Sequence, residues 1–206
     1  MTAFSLSRSV FVLVALTACE MEAFEAAQTA LPADPGDATT PSNFHAAVGA
    51  PIDAATAKRW IENYRQADDR GFASTTIQAA TLRRIQGLPG CVGVSLYYGL
   101  DDAGAVQIFP IGTDGEGRAI AGTPLPAEAT RWIRRYTGPV KSHFFGRDTF
   151  TRLLDERRSE IVRVTPALDD DQAPQLLLSD AAETEPRIYE DESFPVTEDA
   201  PLLPSP

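Results

Sequence analysis

Apolar and polar residues follow a helical period in some stretches of this chain and a strand period in others, and the changes of period mark its elements. Ala57, Trp60, Ile61 and Tyr64 fall at i, i+3, i+4 and i+7, one stripe of an amphipathic helix. Ala129, Trp132, Ile133 and Tyr136 repeat that stripe 72 residues later. Asp53 and Pro126 are start signals for these two helices. A further helix is expected from Ser74, read as an N-cap, with Ile77, Leu82 and Ile85 on its apolar side. Gly87-Leu88-Pro89-Gly90 stops it. Val92, Val94, Leu96 and Tyr98 then alternate with Gly93, Ser95 and Tyr97, which predicts a strand. Asp101-Asp102-Ala103-Gly104 reads as a turn and Ala105 to Ile111 as the returning strand of a hairpin.

The same order of signals comes twice. Six of the ten positions from Ala55 to Tyr64 are identical to those 72 residues on. From Ser74 the offset becomes 68, pairing Ser74 with Ser142 and Ile77, Leu82 and Ile85 with Phe145, Phe150 and Leu153. At that offset Leu100, Asp101, Asp102, Ala105 and Gln107 match Leu168, Asp169, Asp170, Ala173 and Gln175. Pro166 and Pro174 should weaken pairing in the second hairpin or mark a sheet edge. The fold expected is therefore α+β, a tandem helix–helix–hairpin unit. A hairpin alone is marginal in water. Two of them pairing into a four-stranded antiparallel sheet, covered by four helices on one face, bury what each cannot bury alone. The boundaries read as repeat 1 over residues 50–120 and repeat 2 over 121–180. Residues 19–49 form a flexible tether rich in Ala, Pro, Thr, Asp and Gly, and residues 181–206 an acidic, proline-rich tail, with one docked segment near Ile188 and Tyr189.

The first residues follow neither period. Arg8 is the only charge among the first 19, and it precedes the apolar run "SVFVLVALTA". That run is shorter than the roughly 20 residues a bilayer-spanning helix needs, and it reads as a secretory signal over residues 1–18. Leu16-Thr17-Ala18-Cys19 resembles the lipobox of bacterial lipoproteins. The resemblance implies cleavage before Cys19 and lipid on its sulfur. The alternatives are a plain signal peptide with a coincidental cysteine, or a buried N-terminal helix. Lipid chains contribute about 0.8 kcal/mol per buried methylene, so the mature protein would rest on a membrane without crossing it. Glu20, Glu22 and Glu25 directly after the anchor resemble surface-export signals of some Gram-negative lipoproteins. The expected location is the cell envelope, with the outer membrane or cell surface favoured. With Cys19 lipidated, Cys91 is left alone, a buried thiol in an apolar run.

The first unit also resembles an uncharacterised family of small bacterial proteins. The residues that carry the likeness are Pro89-Gly90-Cys91-Val92-Gly93 and Tyr97-Tyr98-Gly99-Leu100-Asp101, about a quarter of the chain with its surroundings. The second unit departs from it, with Arg157-Arg158-Ser159 in place of Pro89-Gly90-Cys91. The resemblance implies no activity and no catalytic residue.

Charge narrows the partners. A net charge of −11 argues against nucleic acid, which requires a basic footprint. The basic residues gather from Arg131 to Arg163, nine against four acids, and Arg134, Arg135, Lys141, Arg147, Arg157 and Arg158 form a candidate patch for anionic lipid. From Leu168 onward 11 acids stand against Arg187 alone, which suggests a tail that masks this patch. Ordinary solvated helix faces explain the same pattern.

Catalytic signals are sparse. A Ser or Cys nucleophile needs a base in reach, and only His45, in the tether, and His143, read as a partly exposed helix-start residue, exist. The aspartates of the two turns, with Asp114 and Glu116, do not have EF-hand spacing, so solvated turns are expected rather than a metal site, and no cofactor is called for. The sheet face turned away from the helices carries Ser95, Tyr97, Gln107, Arg163 and Gln175, a candidate binding surface. The expectation is a non-enzymatic envelope module that binds a protein or peptide. An envelope hydrolase is the alternative, and a purely structural component the third possibility.

Overall fold

A computed structural model describes residues 43–67, 72–156, 158–182 and 188–190. The expected signal segment, Cys19, most of the tether, Arg157 and the tail beyond 190 lie outside the described residues. The elements are β1 (Ala50–Ile52), α1 (Ala54–Ala67), β2 (Thr75–Gln78), α2 (Ala79–Gln86), β3 (Gly93–Leu100), β4 (Val106–Thr113), α3 (Ala129–Arg135), β5 (Ser142–Gly146), α4 (Arg147–Thr151) with a π-helical turn (Arg152–Glu156), β6 (Ile161–Leu168), β7 (Pro174–Asp180) and β8 (Ile188–Glu190).

The class is α+β, with four helices and two antiparallel sheets, not one, among the described residues. One sheet has the order β4-β3-β5 and the other β1-β8-β7-β6-β2. The two hairpins do not pair with each other. Each takes its third strand from the other half of the chain: Val94 and Leu96 pair with Phe145 and His143, while Val162 and Val164 pair with Ile77 and Thr75. The β3 edge of the first hairpin is thereby taken by β5, and the β6 edge of the second by β2. The missed strands are the segments read as the starts of helices. Thr75-Thr76-Ile77 and His143-Phe144-Phe145 are β-branched and aromatic runs, which suit a half-buried pleated surface better than a helix. Ser142 is a buried strand residue, and the helices after these strands begin at Ala79 and Arg147 with no side-chain cap bond.

The sheets meet through their faces. Val94, Leu96 and Phe145 share one buried cluster with Val162, Val164, Leu176 and Leu178, and Leu82 and Ile85 of α2 and Phe150 of α4 complete it. The other faces are also covered. Ala129 and Ile133 of α3 pack on Tyr97, Phe109 and Ile111, and Ala57 of α1 packs on Ala167 and Leu177. Helices therefore lie on more than one face, because each sheet has two apolar sides to bury. Gly99 lets α3 approach β3: a Cβ there would stand 2.6 Å from Phe109 Cε2 and 3.1 Å from the Trp132 carbonyl carbon.

Both chain ends of the described region are tied in. Gly146 N donates to Val48 O at 2.8 Å and Asp148 N to Ala46 O at 2.9 Å, so residues 46–48, read as tether, are bonded to the end of β5 and the first turn of α4. β8 sits between β1 and β7, with Tyr189 buried.

Candidate functional site

The two hairpin turns are built alike. Asp101 Oδ1 accepts from Ala103 N at 2.9 Å and Ala105 N at 2.8 Å, and Oδ2 from Gln107 Nε2 at 2.9 Å. Asp169 Oδ1 accepts from Asp171 N at 2.9 Å and Ala173 N at 2.8 Å, and Oδ2 from Gln175 Nε2 at 2.9 Å. At Asp101 the Ala105 and Gln107 donors hold the carboxyl below its ordinary range. The next aspartate in each turn reaches the helix of the other half. Asp102 accepts from Arg131 Nη2 at 2.7 Å and Arg135 Nη1 at 2.6 Å, and Asp170 from Arg59 Nε at 2.7 Å. At Asp102 partial desolvation works upward but is outweighed by Arg135 and Arg131; at Asp170 the Arg59 bond dominates, and both carboxyls lie below their ordinary range. Trp132 Nε1 and Trp60 Nε1 find no hydrogen bond of ordinary geometry, yet each indole helps to lower the neighbouring carboxyl. Among the described residues no three His, Cys, Asp or Glu gather as metal ligands.

The candidate surface residues are not on an open face. Ser95, Tyr97 and Gln107 lie on the α3 side of the three-stranded sheet, and Arg163 and Gln175 on the α1 side of the other. Ser95 Oγ is bonded to Thr113 Oγ1 at 2.7 Å, both buried. Burial raises the Tyr97 pKa. Arg163 Nη2 donates to Ala181 O at 3.1 Å.

The basic residues are distributed rather than drawn to one point. Arg134 is exposed on α3, Arg135 is paired with Asp102, and Arg158 is exposed before β6. Lys141 Nζ donates to Tyr136 O at 2.8 Å. Arg147 donates to the carbonyls of Gln86 and Cys91. His143 is fully buried in β5, not at a helix start, with its ring edge against Tyr98 at 5.6 Å. Its strand partner is Leu96, whereas Cys91 lies two residues before β3 begins. Cys91 is buried, its Sγ on Gly93 O at 3.1 Å.

The feature that sequence reasoning missed is a half-open cleft of about 240 Å³ between the ends of the two hairpins. Tyr64 at the end of α1, Tyr136 just after α3, Phe72 and Tyr98 line it with rings. Pro139, Pro166 and Pro174 add ring methylenes, and Val106, Val140, Ala167 and Leu168 aliphatic surface. Among the described residues Gln175 is the one amide in the lining, which includes no Asp, Glu, His, Lys or Arg. The Tyr98 and Tyr136 rings stack at 5.1 Å, Phe72 stands perpendicular to Tyr98 at 6.4 Å, and Lys141 Nζ lies 5.8 Å from the Tyr136 centroid. Burial raises the Tyr136 pKa, so its hydroxyl stays protonated through neutral pH. Tyr64 and Tyr136 were visible as matching ends of two helical stripes, but their meeting depends on the exchange of strands between halves.

Comparison of the chain with protein-family models, with curated proteins and with solved structures finds no match.

Proposed function

We propose that this chain is a lipid-anchored envelope protein in which a duplicated unit forms a non-enzymatic binding module, with the aromatic cleft as its binding site. The observation that carries the reading is the lining of the cleft: four aromatic rings, three prolines and a single amide around about 240 Å³. Ligand sites are concave and mostly apolar, with few polar groups.

Duplication is supported by the strand registers and turn bonds. Moving Ile77 forward by 68 and Val162 back by 68 turns the pair Ile77–Val162 into the pair Phe145–Val94. Arg59 with Asp170 corresponds in the same way to Arg131 with Asp102. The anchor is supported by the Leu16-Thr17-Ala18-Cys19 motif after a short apolar run.

A photocrosslinking residue at Leu168, in the cleft, should capture a discrete adduct in intact cells that the same residue at exposed Lys58 does not. Equal capture from both positions, or none from Leu168, would sink the binding reading. Labelled fatty acid should enter the wild type and not Cys19→Ala, and label in both would refute the anchor.

A further inference from the structure

We infer that the cleft takes a neutral aromatic group of one or two fused rings. This rests on the reading of the chain as a binding module and specifies what that module binds. Size comes first. An apolar cavity of about 150 Å³ holds benzene. At about 240 Å³ this cleft has room for a bicyclic group such as indole, and it is small for a folded peptide segment or a sugar chain.

Shape is the second argument. Phe72, Tyr98 and Val106 in the first half correspond, at the offset of 68, to Val140, Pro166 and Pro174 in the second. At two of the three pairs the first half thus supplies an aromatic ring where the second supplies a valine or a proline. Behind them Asp101, Asp102, Ala105 and Gln107 recur as Asp169, Asp170, Ala173 and Gln175, so these three cleft positions differ beside a shared frame. A flat group between such walls meets ring edges on one side and C–H surface on the other, both favourable for a π-system.

Charge is the third. An anion entering the cleft finds no ionised side chain among the described residues of its lining, and leaving water without a partner is costly. A cation fares no better. Tyr98 and Tyr136 stack on each other, which removes ring faces that an aromatic cage would need, and the Lys141 ammonium already lies near the Tyr136 ring.

The ring can come from a free small molecule or from the side chain of a partner protein. The full chain in lipid nanodiscs, with Val and Leu methyls labelled, distinguishes these by NMR. The probes are indole, the capped neutral tripeptide Ala-Trp-Ala, benzoate and tetramethylammonium. Indole should shift the Val106, Val140 and Leu168 methyls saturably, and the two ions should not. Val140→Phe, which puts a ring into the cleft, should weaken indole binding about tenfold while the far-UV spectrum is unchanged. Tyr98→Leu should weaken it by a similar factor without filling the space, which keeps the test open if Val140→Phe fails to fold. Tripeptide binding at least as tight as indole identifies a partner's side chain; indole binding with the tripeptide excluded identifies a free molecule. If neither neutral probe moves the cleft methyls, or an ion binds as well as indole, the inference is overturned. A cleft adduct in cells without ring binding removes this inference and leaves the binding reading standing. Absence of both removes the two together.

Discussion

Asp101 and Asp169 hold their turns with the same three hydrogen bonds, whereas Tyr98 and Pro166, three positions earlier in each strand, share neither size nor chemistry. The contrast runs through both halves. Trp60 and Trp132, Arg59 and Arg131, and Gln107 and Gln175 are the same, and each makes its counterpart's contact. The residues around the cleft differ at one position after another. A turn carboxylate has a narrow geometry that satisfies two backbone donors and an amide, which few residue types supply. A cleft wall has only to be apolar and of suitable size, so it can diverge while the frame remains.

The largest effect expected of this comparison lies in the core. Phe145→Ala should destabilise by about 4 kcal/mol and its counterpart Ile77→Ala by about 3 kcal/mol, read from urea unfolding. A negligible loss at either would mean that the exchanged strand is not held as described. Next comes the approach of each helix to the other half's hairpin. Gly99→Val should cost about 3 kcal/mol, because its Cβ meets the Trp132 and Ile133 backbone at 3.1 and 3.2 Å. At the corresponding position Ala167→Gly should cost only about 1 kcal/mol. Equal losses would show that the two helices sit on their sheets in the same way after all.

Acid sensitivity is a smaller effect. Asp101, Asp102 and Asp170 have folded pKa values below the ordinary carboxylate range. Their contribution is therefore fully present above the unfolded value of about 4 and is lost as the pH falls through the lower folded values. The urea midpoint should be flat from neutral pH down to about 5 and should fall below about 4. The smallest effect separates the two ion pairs. Arg59→Ala leaves Asp170 without an arginine partner among the described residues, while Arg131→Ala leaves Asp102 with Arg135. The first should lower the thermal midpoint slightly more than the second, and both shifts should shrink in high salt. A larger shift for Arg131→Ala would reverse the assignment of Arg135.

The local chemistry of the sequence determined α1, α3, the two hairpins and the turns between their strands. A 3.6-residue stripe ending in Trp-Ile-x-x-Tyr specifies a helix wherever it is buried, and an aspartate before Asp-Ala-Gly or Asp-Asp-Gln closes its turn within five residues. The alternation that set Val94 and Leu96 apart from Ser95 and Tyr97 was also legible, and those residues do lie on opposite faces. That the second face is covered by α3 was not. Only the tertiary structure decided which edges pair, since a run such as His143-Phe144-Phe145 is apolar in either period and its partner, Val94 to Leu96, lies some fifty residues away. The cleft belongs to the same class of facts. It exists because strands are exchanged between halves, which brings Tyr64 and Tyr136 to one rim, and no local pattern encodes a space between residues distant along the chain.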